Sequence, residues 1–403
     1  MKTKDPVVAV FLAQPGGTLV GPGKPFNDHW ALCRALHEMG AQGVTLPACA
    51  PYIDLDAATG SKSADYCREL QDHYTECGTP ALRLEDHYGG QRKLVSPDRL
   101  ARIRDFAPPG TDFSVSGFEQ SGSDSMEKSI RASANMGFKK LVTFSGGRAW
   151  SAGLYPWPPH PVNFLEYAIS LLVLKWQPSL ELADKEGVEI GKELHPEEDV
   201  HSPLVLKTLS DALKVISPSA ANALKANYDA SHPTLIGDDA ADHAKYLVEH
   251  GLLGMAHLKD GQKLKVPGGS LWGDFIKKWS KSRRRFQTFG TGEADWNVIL
   301  PILRERHRIS TDGFPFVVEA ECSRFKNMLQ GLEIGIENAR RAARGEDLLD
   351  VAGLLVKASP LGDWEDAFNG AQTAPELLSM SPAERTDTTE ILAKLMAAGV
   401  FED

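Results

Sequence analysis

A single (β/α)8 barrel is the fold class that this 403-residue sequence predicts, and three observations point to it. Short apolar runs rich in β-branched residues alternate with longer amphipathic stretches, the pattern of parallel strands joined by helical crossovers. Eight such runs can be counted, and charged residues gather at the ends of the later ones. The first run leads into AQPGGTLVGPGKP, which has glycines and prolines but neither a GxGxxG fingerprint nor a P-loop lysine and hydroxyl pair, so a doubly wound open sheet is the weaker rival.

In chain order the strand runs are VVAVFLA from Val7, GVTLPA from Gly43, PALRLEDH from Pro80 and KLVTFSGG from Lys140. VEIGKELH from Val188, LKANYD from Leu224, LLGMAHLKD from Leu252 and PFVVEAEC from Pro315 complete the eight. Between them lie helical segments such as DHWALCRALHEMG, DSMEKSIRASANMG, VNFLEYAISLLVLKWQPSLELADKEG and DDAADHAKYLVEHG. Several end in a glycine able to take the left-handed cap conformation. A typical barrel needs about 250 residues, so two or three loops here must be long. Residues 88–123 and 261–296 are the candidates, the latter making a long loop after the seventh strand. The barrel is assigned to residues 1–345 and a C-terminal helical extension to 346–403.

With 42% hydrophobic and 24% charged residues the chain can bury a sizeable core, which excludes disordered and fibrous classes. A formal charge of -10 argues against a surface built to neutralise phosphates, so no nucleic-acid partner is expected. Cys33, Cys49, Cys67, Cys77 and Cys322 form no CxxC pair and fit a reduced compartment. The apolar run near the N-terminus is too short for a signal segment or a membrane span, which places the protein in the cytoplasm with no membrane partner.

The chemistry concentrates at strand ends. Residues two apart on a strand face the same side, so Glu193 with His195, His257 with Lys259, and Glu319 with Glu321 each project a polar pair in one direction. Asp229 closes the sixth strand in the same way. Charges pointing into a barrel are costly unless paired or bound to metal, and the C-terminal mouth is where barrel enzymes keep them. Glu193, Asp229 and His257 are spaced by about one βα unit, and the longer gap to Glu319 holds the basic, aromatic insertion. Three carboxylates and one imidazole make a hard site for one divalent cation per chain, suited to Mn²⁺, Mg²⁺ or Co²⁺ more than to a closed structural zinc. Singly, each acid is more often a salt-bridge partner or a helix cap. His87 and Glu85 end the third strand and point to the far wall of the same pocket.

ELHPEED from Glu193, NYDASHP from Asn227, AHLKD from Ala256, FGTGEADW from Phe289 and VVEAE from Val317 together carry a resemblance. The chain resembles the xylose isomerase-like barrel superfamily, in particular its sugar phosphate isomerase/epimerase branch, over about residues 5–345. The metal quartet is similar to that of the ketose 3-epimerases, which implies that Glu193, Asp229, His257 and Glu319 bind the metal and that Glu193 and Glu319 also carry the substrate proton. The resemblance further implies that His232 contacts substrate oxygens together with an arginine before the GTG segment, Arg285 or its neighbour Arg284. His195, Lys259 and His87 join them as substrate contacts or as supports of the ligands. The activity so implied is isomerisation or epimerisation of a sugar or keto sugar by proton abstraction next to a carbonyl.

Departures from the family pattern leave the sugar open: the long seventh loop, LKDGQ after His257, and the extended C-terminus. A lyase eliminating β to the keto group of a sugar or 3-keto glycoside shares the first step and is the alternative. An endonuclease IV-like repair enzyme is disfavoured, since a three-zinc cluster needs more histidines than His87, His195, His232 and His257 and a basic surface. Residues 268–289, with Trp272 and Trp279 among lysines and arginines, are expected to form a lid. The apolar helical spacing in LLDVAGLLV and EILAKLMAAGVF points to packing on the barrel or on a neighbour, hence to a homodimer.

Overall fold

The computed structural model describes residues 5–150, 164–263, 284–321 and 327–354. Eight parallel strands close into a barrel: β1 (Val8–Phe11), β2 (Gly43–Pro47), β3 (Ala81–Glu85), β4 (Lys140–Thr143), β5 (Glu189–Glu193), β6 (Leu224–Asp229), β7 (Leu253–Leu258) and, after a two-stranded insertion, β10 (Phe316–Val318). All eight coincide with the apolar runs of the sequence. Their residues are almost continuously buried, as expected for parallel strands covered by helices on one side and packed on the barrel axis on the other. The circuit closes where Val317 of β10 lies between Ala9 of β1 and His257 of β7.

Alternation along the strands divides the side chains between two cores. Ile190, Tyr228, Ala256 and Val318 join the large apolar layer beneath the helices, whereas Ala9, Phe11 and Val317 form a small cluster on the axis. Gly191 faces the axis too. A β-carbon there would stand 2.7 Å from Met255 Sδ, so glycine is what allows Met255 to fill the layer directly under the site.

The helices follow local signals. Asp28 caps His29–Glu38 by accepting from the Ala31 N–H, Ser202 caps Pro203–Ile216 with proline in the first turn, and Gly345 ends Met328–Arg344 in the left-handed region at φ 76°. Residues 88–123, expected as a loop, hold instead the helices His87–Arg92 and Pro97–Arg102, a 3-10 turn Arg104–Phe106 and the first turns of Val115–Asn135. The polar, glycine-rich SGFEQSGSDS gives little helical periodicity. Tertiary packing decides, because Phe118 is fully buried and a β-carbon on Gly122 would come within 2.8 Å of the Arg92 backbone.

After β7 the chain forms an antiparallel hairpin, β8 (Asp260–Lys263) and β9 (Arg284–Gln287). Its root is Asp260, whose carboxylate accepts from the Gly261, Gly292 and Ala294 N–H groups and from Trp296 Nε1 at 2.7–3.1 Å. Most of the expected lid, residues 264–283 with Trp272 and Trp279, lies outside the described residues, as does the tail from 355. Residues 346–354 return onto the last helix, where the Leu349 N–H meets Asn338 Oδ1 at 2.8 Å and Val351 packs on Ile334. Among the described residues no helix is long and apolar enough to cross a membrane.

Replacing Asp260 with alanine orphans the buried Trp296 N–H and several backbone donors, at roughly 1–3 kcal/mol for each group left without a partner. Asp260→Ala is therefore expected to lower the unfolding free energy by about 3 kcal/mol or more in urea titration, and Asp260→Asn, which keeps an acceptor, by less.

Candidate metal centre

At the C-terminal mouth the strand order brings the four ligand candidates together. Asp229 ends β6 and His257 lies near the end of β7, so these two are register partners in adjacent strands. Glu193 ends β5 on one side of that pair, and Glu319 follows β10 on the other. One ligand atom from each of Glu193, Asp229, His257 and Glu319 lies within 4.8 Å of the rest, and all four residues are buried.

The hydrogen bonds around the quartet do not complete its inner atoms, which meet only ion-pair contacts. His257 Nε2 donates to Glu85 Oε2 at 2.9 Å, which directs Nδ1 at Glu193 Oε2 and Glu319 Oε2, 3.1 and 3.0 Å away. Yet His257 Nδ1, Asp229 Oδ2 and Glu319 Oε2 are all buried without a properly directed hydrogen bond. Buried polar atoms that converge in this way are costly unless a cation completes them. The donor set, three carboxylates and one imidazole, fits a divalent cation of the hard to intermediate kind.

Each ligand is held from behind. Glu193 Oε2 receives Asn227 Nδ2 at 3.0 Å and lies 3.1 Å from His87 Nε2, while His232 Nε2 stands 3.0 Å from Glu193 Oε1. Gln14 Nε2 donates to Glu319 Oε1 at 2.5 Å and to Glu321 Oε1 at 3.3 Å. The Lys259 ammonium stands 3.2 Å from Asp229 Oδ2, 3.0 Å from Glu319 Oε2 and 2.9 Å from Glu321 Oε2, and lies 4.3 Å from the centre of the Phe286 ring.

These contacts set the charges. Burial alone would raise the carboxylates, but the charge of His257 and hydrogen bonds from His232 and His87 hold Glu193 well below the usual range, and Lys259 and His257 do the same for Glu319. Burial dominates at Asp229, pushing its carboxyl up to about 6 against the pull of Lys259. Burial would also lower His257 and Lys259, but the surrounding carboxylates outweigh it and raise both well above their ordinary values. Burial, with the neighbouring His232, brings His195 down to about 4, so that ring is neutral at physiological pH.

The other candidates occupy distinct places. His87 and His195 line the cavity above the quartet, together with Lys259, Glu193 and Glu319. His195 packs edge-on against His232 at 4.2 Å and against Phe144 at 4.8 Å. His232, expected at the substrate, is spent on Glu193 and stands behind it rather than on the cavity wall. Arg285 belongs to β9, and its side chain, like that of Arg284, lies outside the described residues. Gln14 and Asn227 were not singled out from the sequence. Asn227 shares the inward face of β6 with Asp229 and was readable by period two, whereas nothing in AQPGG signals that a short helix, Ala13–Leu19, brings Gln14 to Glu319.

Because the Glu85 bond selects which ring nitrogen of His257 faces the quartet, Glu85→Ala is expected to weaken divalent metal binding about 10- to 100-fold, the range typical of groups that orient a ligand histidine. A cation must also displace a proton from His257, so affinity should fall as the pH is lowered. Calorimetric titration with Mn²⁺ at several pH values checks both, and an affinity unchanged in Glu85→Ala would remove Glu85 from this role.

The profile of the xylose isomerase-like TIM barrel family matches residues 33–344. No curated protein matches the sequence. Among solved structures, a xylose isomerase-like TIM barrel protein from Mycobacterium smegmatis in complex with magnesium is 13% identical, with 85% of this chain and 97% of that one covered at a TM-score of 0.52. A xylose isomerase domain protein from Planctomyces limnophilus is 15% identical, covering 85% and 99% at 0.51. The probable 3-DHS dehydratase AsbF of petrobactin synthesis from Bacillus anthracis is 14% identical, covering 82% and 97% at 0.50. At these identities the structural likeness speaks to the fold alone. The barrel, the quartet at its mouth and the family match over most of its length lead to one conclusion: this chain belongs to the xylose isomerase-like TIM barrel family.

Proposed function

We propose that the protein is a divalent-metal-dependent isomerase or epimerase that moves a proton next to the carbonyl of a sugar or keto sugar. One observation carries this reading. Of the four quartet residues, Glu193 and Glu319 line the cavity, while Asp229 and His257 lie behind them. The two carboxylates open to a substrate thus stand on either side of the β6–β7 pair.

A bound Mn²⁺, Mg²⁺ or Co²⁺ would polarise a carbonyl and its neighbouring hydroxyl and acidify the adjacent C–H. Glu193 and Glu319, held ionised, are placed to take that proton from opposite sides, which allows inversion at the carbon if one removes and the other returns it. Gln14 and Lys259 fix the Glu319 carboxylate, and His87, Asn227 and His232 fix Glu193, so neither base has to reorganise when it reacts. Phe11 stacks on His257 at 5.7 Å and closes the inner end of the pocket with apolar surface. A second reading, elimination of a group β to the keto function, shares the first proton transfer. It is favoured by Glu321, 2.9 Å from Lys259 and beside Glu319, whose carboxyl burial raises and which offers a further group to protonate the departing oxygen.

Solvent deuterium uptake by keto sugars and 3-keto glycosides, followed by NMR with metal-loaded protein, tests the reaction class. Glu319→Gln and Glu193→Gln keep an oxygen that can coordinate but lose the base, and each is expected to lose on the order of a thousandfold or more in rate. Excess Mn²⁺ should not restore either. Asp229→Asn should mainly lose metal affinity and recover in part with excess Mn²⁺. Full recovery of both glutamate variants by metal would make them ligands only and overturn the two-base reading.

A further inference from the structure

The cavity over the quartet does not end at the reacting atoms. It extends sideways across the ends of β2 and β3 and encloses about 1580 Å³, above the roughly 300–1,000 Å³ usual for pockets that envelop a drug-sized ligand, and a single hexose is smaller still. The extension has its own construction. The helix His87–Arg92 starts directly after β3, so His87, which touches Glu193, is followed at once by Tyr88. The Tyr88 ring is 51% exposed and stacks on Phe106, with centroids 4.5 Å apart and planes 16° from parallel. Arg92, the buried last residue of the same helix, donates to the Phe106 carbonyl and anchors the stack.

Among the charged residues that line this extension, carboxylates outnumber cations: Asp54, Asp56, Asp112 and Asp124 against Lys128 and the buried Arg92. Each of the four also has a partner in the protein: Asp56 pairs with Lys128 at 2.5 Å, Asp54 caps the Leu55–Thr59 helix, Asp112 accepts from Ser114 and Asp124 accepts from Gln120, so each offers a sugar hydroxyl only its remaining lone pairs. Carboxylates accept hydrogen bonds from hydroxyl groups and repel anions. An aromatic face offers a broad apolar platform with little conformational entropy to lose, which suits the flat C–H face of a sugar ring or an aromatic aglycone.

We propose that the site takes a neutral two-part substrate, a glycoside or disaccharide, with the reacting ring at the quartet and the second ring on the Tyr88–Phe106 stack. The inference rests on the reading above in so far as a sugar ring occupies the quartet. It commits the protein against free monosaccharides and phosphate esters as its preferred ligands.

Binding is measured calorimetrically on the Mn²⁺-loaded full chain with two single-ring probes, D-fructose and methyl β-D-glucoside, and three two-ring probes, lactulose, isomaltulose and p-nitrophenyl β-D-glucoside. D-fructose 6-phosphate serves as the charged probe. At least one two-ring compound is expected to bind tenfold or more tightly than the better single-ring one. Tyr88→Ala, at an exposed position, should abolish that advantage with metal content and single-ring affinity unchanged. The proposal is overturned if no two-ring compound has the advantage, if the advantage survives Tyr88→Ala, or if the phosphate ester binds most tightly. Deuterium exchange on the same probes separates the two claims. Exchange on fructose without two-ring preference defeats the subsite and leaves the reaction, whereas Tyr88-dependent binding without exchange on any probe defeats the reaction and leaves the subsite.

Discussion

The constraint on which the rest of this structure depends is electrostatic: Glu85, Glu193, Asp229, Glu319 and Glu321 crowd one end of a barrel, out of water or nearly so. Like charges that close, in a medium of low dielectric, repel by far more than a folded domain can absorb unless cations or protons intervene. The protein supplies Lys259, wedged among Asp229, Glu319 and Glu321, and His257, between Glu85, Glu193 and the same Glu319. Even so, Asp229 is left with a raised pKa, and three inner ligand atoms, though close to opposite charges, have no properly directed hydrogen bond. A divalent cation held by the quartet would resolve both deficits at once.

The supporting groups show the same logic one layer out. Arg83 pairs with Glu85 at 3.0 Å, Glu85 orients His257, and the burial penalty on Glu85 is outweighed, so that its carboxyl is held down at about 2. The contacts run from Arg83, deep in the barrel, through Glu85 to His257 at its mouth. Such preorganisation is what a site needs if charge is to move without solvent reorganisation.

Function is also shaped by what lies beyond the quartet. One short helix after β3 carries the His87 contact to Glu193 and, at the next residue, the aromatic surface that opens the cavity sideways. On the proposed reading, the residue that supports a catalytic carboxylate and the residue that receives the second ring are neighbours on one helix rather than on separate loops.

Much of this was legible in the sequence, for identifiable reasons. Parallel strands buried on both sides must be apolar and β-branched, so all eight showed as runs. Period-two alternation gave Glu193, His257 and Glu319 a common direction, and a fixed βα rhythm put Asp229 on the neighbouring strand. The helices of residues 88–123 were not legible, because they are held by burial of Phe118 and close approach at Gly122 instead of by a periodic apolar face. Nor was Gln14, separated from Glu319 by nearly the whole chain and joined to it only when β1 and β10 close the barrel. Sequence determined which residues point inward, a matter of local geometry. Which of them touch, which face the cavity, and which atoms remain without a partner are consequences of closure, and only the tertiary structure decided them.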